Sequence, residues 1–205
     1  MKNRILLGLA ALAMVAFLSS CGKEPVEQEK AVTAAIDSAK VLQADVYVPA
    51  EFAAVQDSMK AITAAVEVQK SKLFKKFGPI KVKLDESLAL AKKVAADAVS
   101  KKEEVKKQVE GLLADTKKVA EDNAKLFKRA PRGKEGAQVL EQIKTELATC
   151  ETACTDAQGL YDKGAYMDAF NKISAAKASE DKINEELTTA ITKAGGKVVK
   201  PVVKK

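Results

Sequence analysis

A heptad pattern of apolar residues in the middle of the chain constrains its fold more than any other feature. Between residues 80 and 130, every seventh position of one series is apolar without interruption. That series is Leu84, Ala91, Ala98, Val105, Leu112, Val119 and Leu126. Further apolar residues between them give the alternating spacing of three and four that is typical of helices packed side by side. A continuous helix of roughly 50 residues would span about 75 Å at 1.5 Å per residue.

Glycine and proline are scarce, and they stand at a few places that divide the chain into helical stretches. These breaks are Val48-Pro49, Gly78-Pro79, Pro131-Arg132-Gly133, Lys163-Gly164 and Gly195-Gly196. Proline lacks an amide hydrogen and glycine favours coil, so both interrupt helices. The predicted helices cover residues 29–46, 50–77, 80–130, 134–162 and 165–194. An alternative at Gly78-Pro79 is a kink within one very long helix.

No stretch of useful length alternates apolar and polar residues with the period of a β-strand. We therefore predict an all-α fold without a β-sheet, an elongated antiparallel bundle of helical hairpins over residues 29–194. Aromatic residues make up only 4% of the chain, so the predicted core is thin and rich in alanine. Tyr47, Phe74, Phe77 and Tyr161 fall near predicted helix ends, where we expect them to close hairpins.

Composition limits the chemistry that this chain can perform. It contains no His and no Trp, which excludes a Ser-His-Asp triad, a His-ligated haem and the usual zinc site. The sequence has no glycine loop of the kind that cradles phosphate, and no carboxylate pair stands out by its setting. We therefore predict a protein that is not an enzyme, with no catalytic residues, no metal site and no cofactor.

The N-terminus has the pattern of a secretory signal. Lys2 and Arg4 precede an apolar run from Ile5 to Leu18, which is shorter than the about 20 residues of a membrane-spanning helix. Residues 1–20 are therefore predicted to be a signal peptide. The tetrad Leu18-Ser19-Ser20-Cys21 closes this segment and resembles the lipobox of bacterial lipoproteins. An ordinary signal peptide with a chance cysteine is the alternative.

The lipobox resemblance implies a lipidated mature protein. In that family the cysteine thiol receives diacylglycerol, the signal is then cut just before the cysteine, here between Ser20 and Cys21, and the new amino group receives an acyl chain such as palmitate. Cys21 is then the membrane anchor, and residues 21–28 form a lipidated linker. Because Gly22 stands where an Asp would resemble an inner-membrane retention signal, we expect the outer membrane, with the protein facing the periplasm.

The charge of the chain limits the classes of partner that we expect. Its 35 basic and 28 acidic residues give a formal charge of +7, of which Lys2 and Arg4 belong to the signal. Both signs are interspersed, which suits a surface near anionic lipid or cell wall. Export makes nucleic acid an unexpected partner. We expect the membrane, through the lipid on Cys21, and envelope proteins or peptidoglycan as partners, and the sequence leaves self-association open.

Cys150 and Cys154 stand four residues apart on the predicted fourth helix and therefore share a face. The favoured interpretation is that both are core thiols, which pack as small apolar side chains beside Leu147 and Ala157. A disulfide between them would be strained within a helix, and it ranks second. A redox pair ranks third. A metal site would need further ligands that the sequence lacks.

A second heptad series in the long helix is interrupted by polar residues at Lys102, Thr116 and Asn123. A buried polar residue in such a series fixes the register or the oligomeric state of a coiled coil. The alternative is that this end of the helix is exposed to solvent. The sequence favours neither interpretation over the other.

Residues 31–98 carry a second resemblance. An Ala-rich stretch with Ala34-Ala35-Ile36 leads to Tyr47-Val48-Pro49-Ala50-Glu51-Phe52. This segment resembles an uncharacterised domain of Gram-negative envelope lipoproteins, in which a Tyr-Ala-Pro-Glu-Glu-Leu-like motif begins a helix after an Ala-rich helix. Val48 and Phe52 depart from the usual Ala and Leu. The resemblance covers about a third of the chain and implies a helical lipoprotein of unassigned activity.

The predicted function is that of a non-enzymatic spacer or protein-interaction scaffold on the membrane. Residues 195–205 carry four lysines and no helical period, so we predict a basic flexible tail. Its end, Lys204-Lys205, resembles the C-terminal lysine by which the major outer-membrane lipoprotein of enteric bacteria is joined to peptidoglycan. A cell-wall tether in which Lys204 and Lys205 contact peptidoglycan is therefore the alternative function.

Overall fold

The computed structural model describes residues 22–198, and all regular elements in these residues are helices. The helices are α1 (Val26–Val41), α2 (Ala44–Tyr47), α3 (Pro49–Lys70), α4 (Gly78–Arg129), α5 (Lys134–Asp162) and α6 (Tyr166–Lys193). The structure is 85% helical, and the prediction of an all-α bundle fold is confirmed. The predicted signal peptide, the predicted cleavage and lipidation sites at Ser20 and Cys21, and Lys204-Lys205 lie outside the described residues.

The described residues divide into two compact units with a boundary after Lys101, within α4. The sequence predicted a single bundle over residues 29–194, whereas the structure has two units, each with a core of its own. The core of the first unit is made by α1, α2, α3 and the part of α4 before the boundary. The core of the second is made by the rest of α4 with α5 and α6.

The first unit packs α1, α3 and the beginning of α4 in two apolar layers. One layer contains Val32, Ile62, Val66, Phe77, Ile80 and Leu84. The other layer contains Ala39, Ala44, Phe52, Val55, Ala91, Val94 and Ala98. Because α3 contributes to the two layers in the opposite chain order to α1 and α4, α3 runs antiparallel to both. Gly78-Pro79 therefore begins the second arm of a hairpin, and the alternative of a kinked single helix is wrong.

Two predicted helix boundaries in the first unit are wrong. The helix predicted over residues 29–46 is interrupted at Gln43, whose left-handed backbone (φ 63°) starts the short helix α2. This break turns Ala44 and Tyr47 into the core. The helix predicted to reach residue 77 ends at Lys70, because Phe77 has to leave the helical path to become 1% exposed in the core. Pro49 is the first residue of α3, as the break at Val48-Pro49 predicted.

The second unit has an apolar cluster between α5, α6 and the end of α4. Its buried members are Leu126, Ala130, Ile143, Cys150, Ile183, Leu187 and Ile191. The predicted break at Lys163-Gly164 is the turn between α5 and α6. Gly164 has a φ of +77°, its amide donates to the Tyr161 carbonyl, and the Ala165 amide donates to the Leu160 carbonyl. This pair of bonds is the Schellman motif, which favours glycine at the left-handed position.

The chain beyond α6 is packed further than predicted. Gly195 has a φ of +80°, and the Gly196 amide donates to the Ile191 carbonyl at 2.9 Å, so α6 ends at the predicted glycine pair. The next residues return to the core of the second unit: Val198 packs against it, and Arg129 Nη2 donates to the Lys197 carbonyl at 2.6 Å. The prediction of a flexible tail from residue 195 is therefore wrong for residues 195–198. Residues 199–205 lie outside the described part of the chain.

Candidate functional site

A buried polar cluster links α4 and α6 inside the second unit. Asn123 is fully buried, and its side-chain amide donates to both the carbonyl and the carboxylate of Glu180, each at 2.7 Å. Asn184 Nδ2 donates to Asn123 Oδ1 at 2.7 Å. These bonds use both donors of the Asn123 amide and one lone pair of its oxygen. Because α4 and α6 can form this pattern in one register only, the cluster fixes how they align.

This geometry decides between the two interpretations of the polar heptad positions. Asn123 and Thr116 are both fully buried, so solvent exposure of this part of α4 is wrong for these two residues. Thr116 satisfies its hydroxyl within α4, where it donates to the Leu112 carbonyl at 2.6 Å. Lys102 is half-buried, and its ammonium lies 5.9 Å from the centre of the Tyr166 ring. Asn123 joins α4 to α6 through three hydrogen bonds, so we infer that it sets their register.

Glu180 is 1% exposed. Burial raises its pKa above the usual value, the hydrogen bond from Asn123 opposes that rise, and the neighbouring Asp181 carboxylate adds to it. No carboxylate was predicted as a site residue from the sequence, although Glu180 stands on the apolar seam of α6, seven residues before Leu187. A lone carboxylate at a seam position is the signal that could have identified this cluster.

We expect the Glu180→Gln variant to gain stability over the wild-type protein as pH rises. The pKa of Glu180 is higher in the fold than in the unfolded chain, so its favourable contribution is complete below about pH 4.5 and is lost as pH rises through the raised pKa. The glutamine side chain of the variant would still accept the bond from Asn123 but would carry no charge. Urea unfolding of both proteins over a series of pH values measures the difference. Glu185→Gln, at an exposed position of the same helix, is the control, and identical pH profiles for all three proteins would contradict the prediction.

The two cysteines lie in the same unit. Cys150 is buried in its apolar core, Cys154 is half-buried, and both are free thiols in this structure. Burial and then the Glu180 carboxylate raise the pKa of Cys150 to about 11, and the same two causes raise the pKa of Cys154. A thiol with a raised pKa is largely protonated at neutral pH and is a poor nucleophile. The geometry favours the core-thiol interpretation over a redox pair.

We expect Cys150→Ala and Cys154→Ala, singly or together, to leave the fold intact. Each change removes one sulfur atom from a helix seam, and the cost in unfolding free energy should be about 1 kcal/mol or less for each. Circular dichroism and urea unfolding measure this cost. Thiol titration of the exported wild-type protein under denaturing conditions is the check on the redox state. Two free thiols would agree with the core-thiol interpretation. The absence of free thiols would instead favour a disulfide between Cys150 and Cys154.

Aromatic and charged side chains gather where α5 turns into α6. The rings of Tyr161 and Tyr166 lie 5.2 Å apart between centres. Tyr161 donates a hydrogen bond to the Glu110 carboxylate of α4, and this bond, followed by burial, raises the pKa of Tyr161 to about 12. The ammonium groups of Lys102 and Lys106 lie near the face of Tyr166, at 5.9 and 5.8 Å from its centre. Tyr161 therefore closes the hairpin as predicted, and it also ties the hairpin to α4.

The first unit carries an open groove of about 670 Å³ between α1 and α3. Ile36 and Met59 contribute apolar surface to the groove, and both also pack against the core. The other lining residues are Thr33, Gln56, Lys60, Thr63, Ala64 and Glu67. Its lining therefore combines apolar surface with charges of both signs.

The chain enters the first unit with almost no linker. The sequence predicted a linker over residues 21–28, but Pro25 is buried and α1 begins at Val26. Lys70 at the end of α3 lies 2.5 Å from the Glu24 carboxylate and 2.9 Å from that of Glu67. The hydrogen bonds to these two carboxylates raise the pKa of Lys70. The chain therefore contacts the first unit from Glu24 onward, at the end of α3.

Comparison with known proteins finds no similar protein: no family model, no curated protein and no solved structure matches this chain. The lipoprotein resemblance rests on the residues quoted above and stays a prediction. Within residues 22–198, no group of three or more His, Cys, Asp or Glu side chains is arranged to hold a metal ion. In the same residues, no helix is both long and apolar enough to cross a membrane.

Proposed function

We propose that this protein is a lipid-anchored, periplasm-facing lipoprotein of the outer membrane that acts as a non-enzymatic scaffold. The observation that carries the proposal is the short path between the predicted anchor and the fold. Cys21 ends a lipobox, Glu24 binds Lys70, and Pro25 is already buried. An acyl anchor on Cys21 would therefore hold the first helical unit directly at the membrane surface rather than on a long tether.

The groove between α1 and α3 is the surface that we assign to a protein partner of the scaffold. Its open shape and apolar lining suit an amphipathic helix of another envelope protein. Met59 supports this assignment, because a flexible thioether adapts to partners of different shape.

The experiment for the anchor is a mass measurement on the N-terminal peptide of the exported protein, together with membrane fractionation. A diacylglyceryl group and an acyl chain on Cys21 support the proposal, and an unmodified N-terminus contradicts it.

The experiment for the scaffold is photo-crosslinking in cells from a reactive amino acid at Thr63, in the groove. Val68, which is exposed on α3 outside the groove, is the control position. A discrete adduct from position 63 that is absent from position 68 and lost in Met59→Glu supports the scaffold, and equal labelling from both positions contradicts it.

A cell-wall tether is the second candidate function, and one observation favours it. Arg129 and the core hold residues 197–198, so a covalent bond at Lys204 or Lys205 would link the cell wall to a fixed point of the second unit. Deleting residues 199–205 and digesting sacculi with lysozyme tests this function. Release of a muropeptide adduct on the C-terminal peptide from the full chain alone would support a tether through Lys204 or Lys205. Equal release of both proteins, with no adduct, would leave the scaffold.

A further inference from the structure

The loop between α3 and α4 exposes two large apolar side chains. Leu73 is 91% exposed and Phe74 is 79% exposed, whereas Phe77 in the same loop is 1% exposed. The prediction that Phe74 closes a hairpin is therefore wrong, since Phe77 does so alone. An adjacent Leu-Phe pair at the tip of a loop has no contact in the fold that accounts for it, and exposed apolar pairs of this kind mark contact surfaces.

The same loop is strongly basic. Lys72, Lys75 and Lys76 flank the apolar pair, and all three are exposed. Lys70 stands at the base of the loop but is engaged by Glu24 and Glu67. Three cations around an apolar tip fit a surface that has negative charge outside and hydrocarbon just beneath it. An anionic phospholipid surface has that structure, and amphipathic segments with lysine and large apolar residues bind it.

The position of the loop within the first unit selects this occupant. The ion pair between Glu24 and Lys70 places Glu24 at the end of the first unit that carries the loop. Val32 in α1 packs in the same layer as Phe77, which agrees with this placement. Cys21 is three residues before Glu24, and an extended chain covers at most about 11 Å over that distance. A lipid on Cys21 would therefore bring the loop to the bilayer surface.

We propose that residues 72–76 form a membrane-contact loop, in which Leu73 and Phe74 insert into an anionic phospholipid surface and Lys72, Lys75 and Lys76 bind its phosphates. This inference rests on the proposed lipid anchor at Cys21. The anchor supplies a high local concentration of lipid, so a loop too weak to bind alone is held at the surface. The two contacts together fix the orientation of the first unit, which a single flexible anchor does not.

The chain contains no Trp, so Phe74→Trp introduces a single fluorescent reporter at an exposed position. The lipidated protein is reconstituted into vesicles of phosphatidylcholine mixed with an equal amount of phosphatidylglycerol. We expect blue-shifted emission and strong quenching by lipids brominated on their acyl chains. Val41→Trp is the matched control. Val41 is 82% exposed, and in the chain it comes just after Ala39, which belongs to the layer at the other end of the same unit. Its emission should stay that of a residue in water.

Charge dependence is the second part of the test. A lysine close to an anionic surface contributes a factor of roughly five to binding. Replacing Lys72, Lys75 and Lys76 by Gln should therefore lower the ratio of inserted to free loop about a hundredfold, and so should vesicles without phosphatidylglycerol. The matched control replaces Lys40, Lys92 and Lys93, which are exposed elsewhere in the same unit, and should leave the ratio unchanged.

Several outcomes overturn the proposal. Equal quenching at positions 74 and 41, or quenching that does not depend on phosphatidylglycerol or on the three lysines, excludes insertion of the loop. A blue shift at position 74 on adding sacculi without vesicles assigns the surface to the cell wall instead. Flotation of the protein with the vesicles reports the anchor separately. Flotation without quenching refutes the loop and leaves the anchor, whereas failure to float refutes the anchor.

Discussion

Replacing Cys21 by serine is expected to abolish membrane retention of the processed protein. A serine hydroxyl does not replace the thiol that receives diacylglycerol in the lipoproteins this chain resembles. Each buried CH₂ group of an acyl chain contributes about 0.8 kcal/mol, so a protein with several chains is effectively permanently bound and a protein with none is released. Fractionation of cells that export the variant, with the N-terminus identified by mass, measures the effect.

Cys154→Ser is the matched control for this experiment, since it makes the same substitution at a cysteine within the fold. It should stay with the membrane. Retention of a processed Cys21→Ser protein would show that something other than the lipid holds it. Wild-type protein in the inner membrane would contradict the expectation drawn from Gly22.

Replacing Asn123 by alanine is expected to destabilise the second unit by about 3–4 kcal/mol, because it strands several buried polar groups at once. The variant loses the bonds to the carbonyl and the carboxylate of Glu180 and the bond from Asn184. The Glu180 carboxylate would remain 1% exposed without its donor. Urea unfolding followed by tyrosine fluorescence measures the cost, since Tyr161 and Tyr166 both belong to this unit.

Asn171→Ala, at an exposed position of α6, is the control and should cost less than about 0.5 kcal/mol. A second variant separates the loss of bonds from the loss of volume. Replacing Asn123 and Glu180 together by leucine removes the two most buried polar side chains of the cluster and leaves Asn184, which is half-buried. Exchanging a buried polar pair for apolar side chains is often neutral or stabilising. The double variant should therefore recover stability relative to Asn123→Ala. A cost for Asn123→Ala no larger than that of Asn171→Ala would refute the structural role of the cluster.

The regular part of the fold follows from local chemistry that the sequence displays. Proline at residue 49 begins α3, and glycines 164 and 195 take the left-handed positions that end α5 and α6. The heptad series from Leu84 to Leu126 predicts one uninterrupted helix, and α4 runs from Gly78 to Arg129. These predictions succeed because proline, glycine and a 3.6-residue period act within one or two turns of the chain.

The candidate site and the loop were only partly predictable. Asn123 was recognised as a polar heptad position, but its burial depended on Glu180, which lies 57 residues away. Phe74 and Phe77 are three residues apart in the same loop, and the sequence assigned both the same role. One is exposed and the other is buried beside residues of α1, α3 and α4, which are contacts that the local sequence does not display.

The sequence by itself determined the all-α fold, most helix ends and the places where apolar faces lie, because each of these depends on residues near one another in the chain. The tertiary structure decided which faces meet. The helix predicted over residues 29–46 is interrupted at Gln43, so that Ala44 and Tyr47 reach the core of the first unit. Val198 packs against the core of the second unit. A helical period tells which side of a helix is apolar but not what covers it. Burial of a polar group or exposure of an apolar one therefore depends on contacts between distant residues.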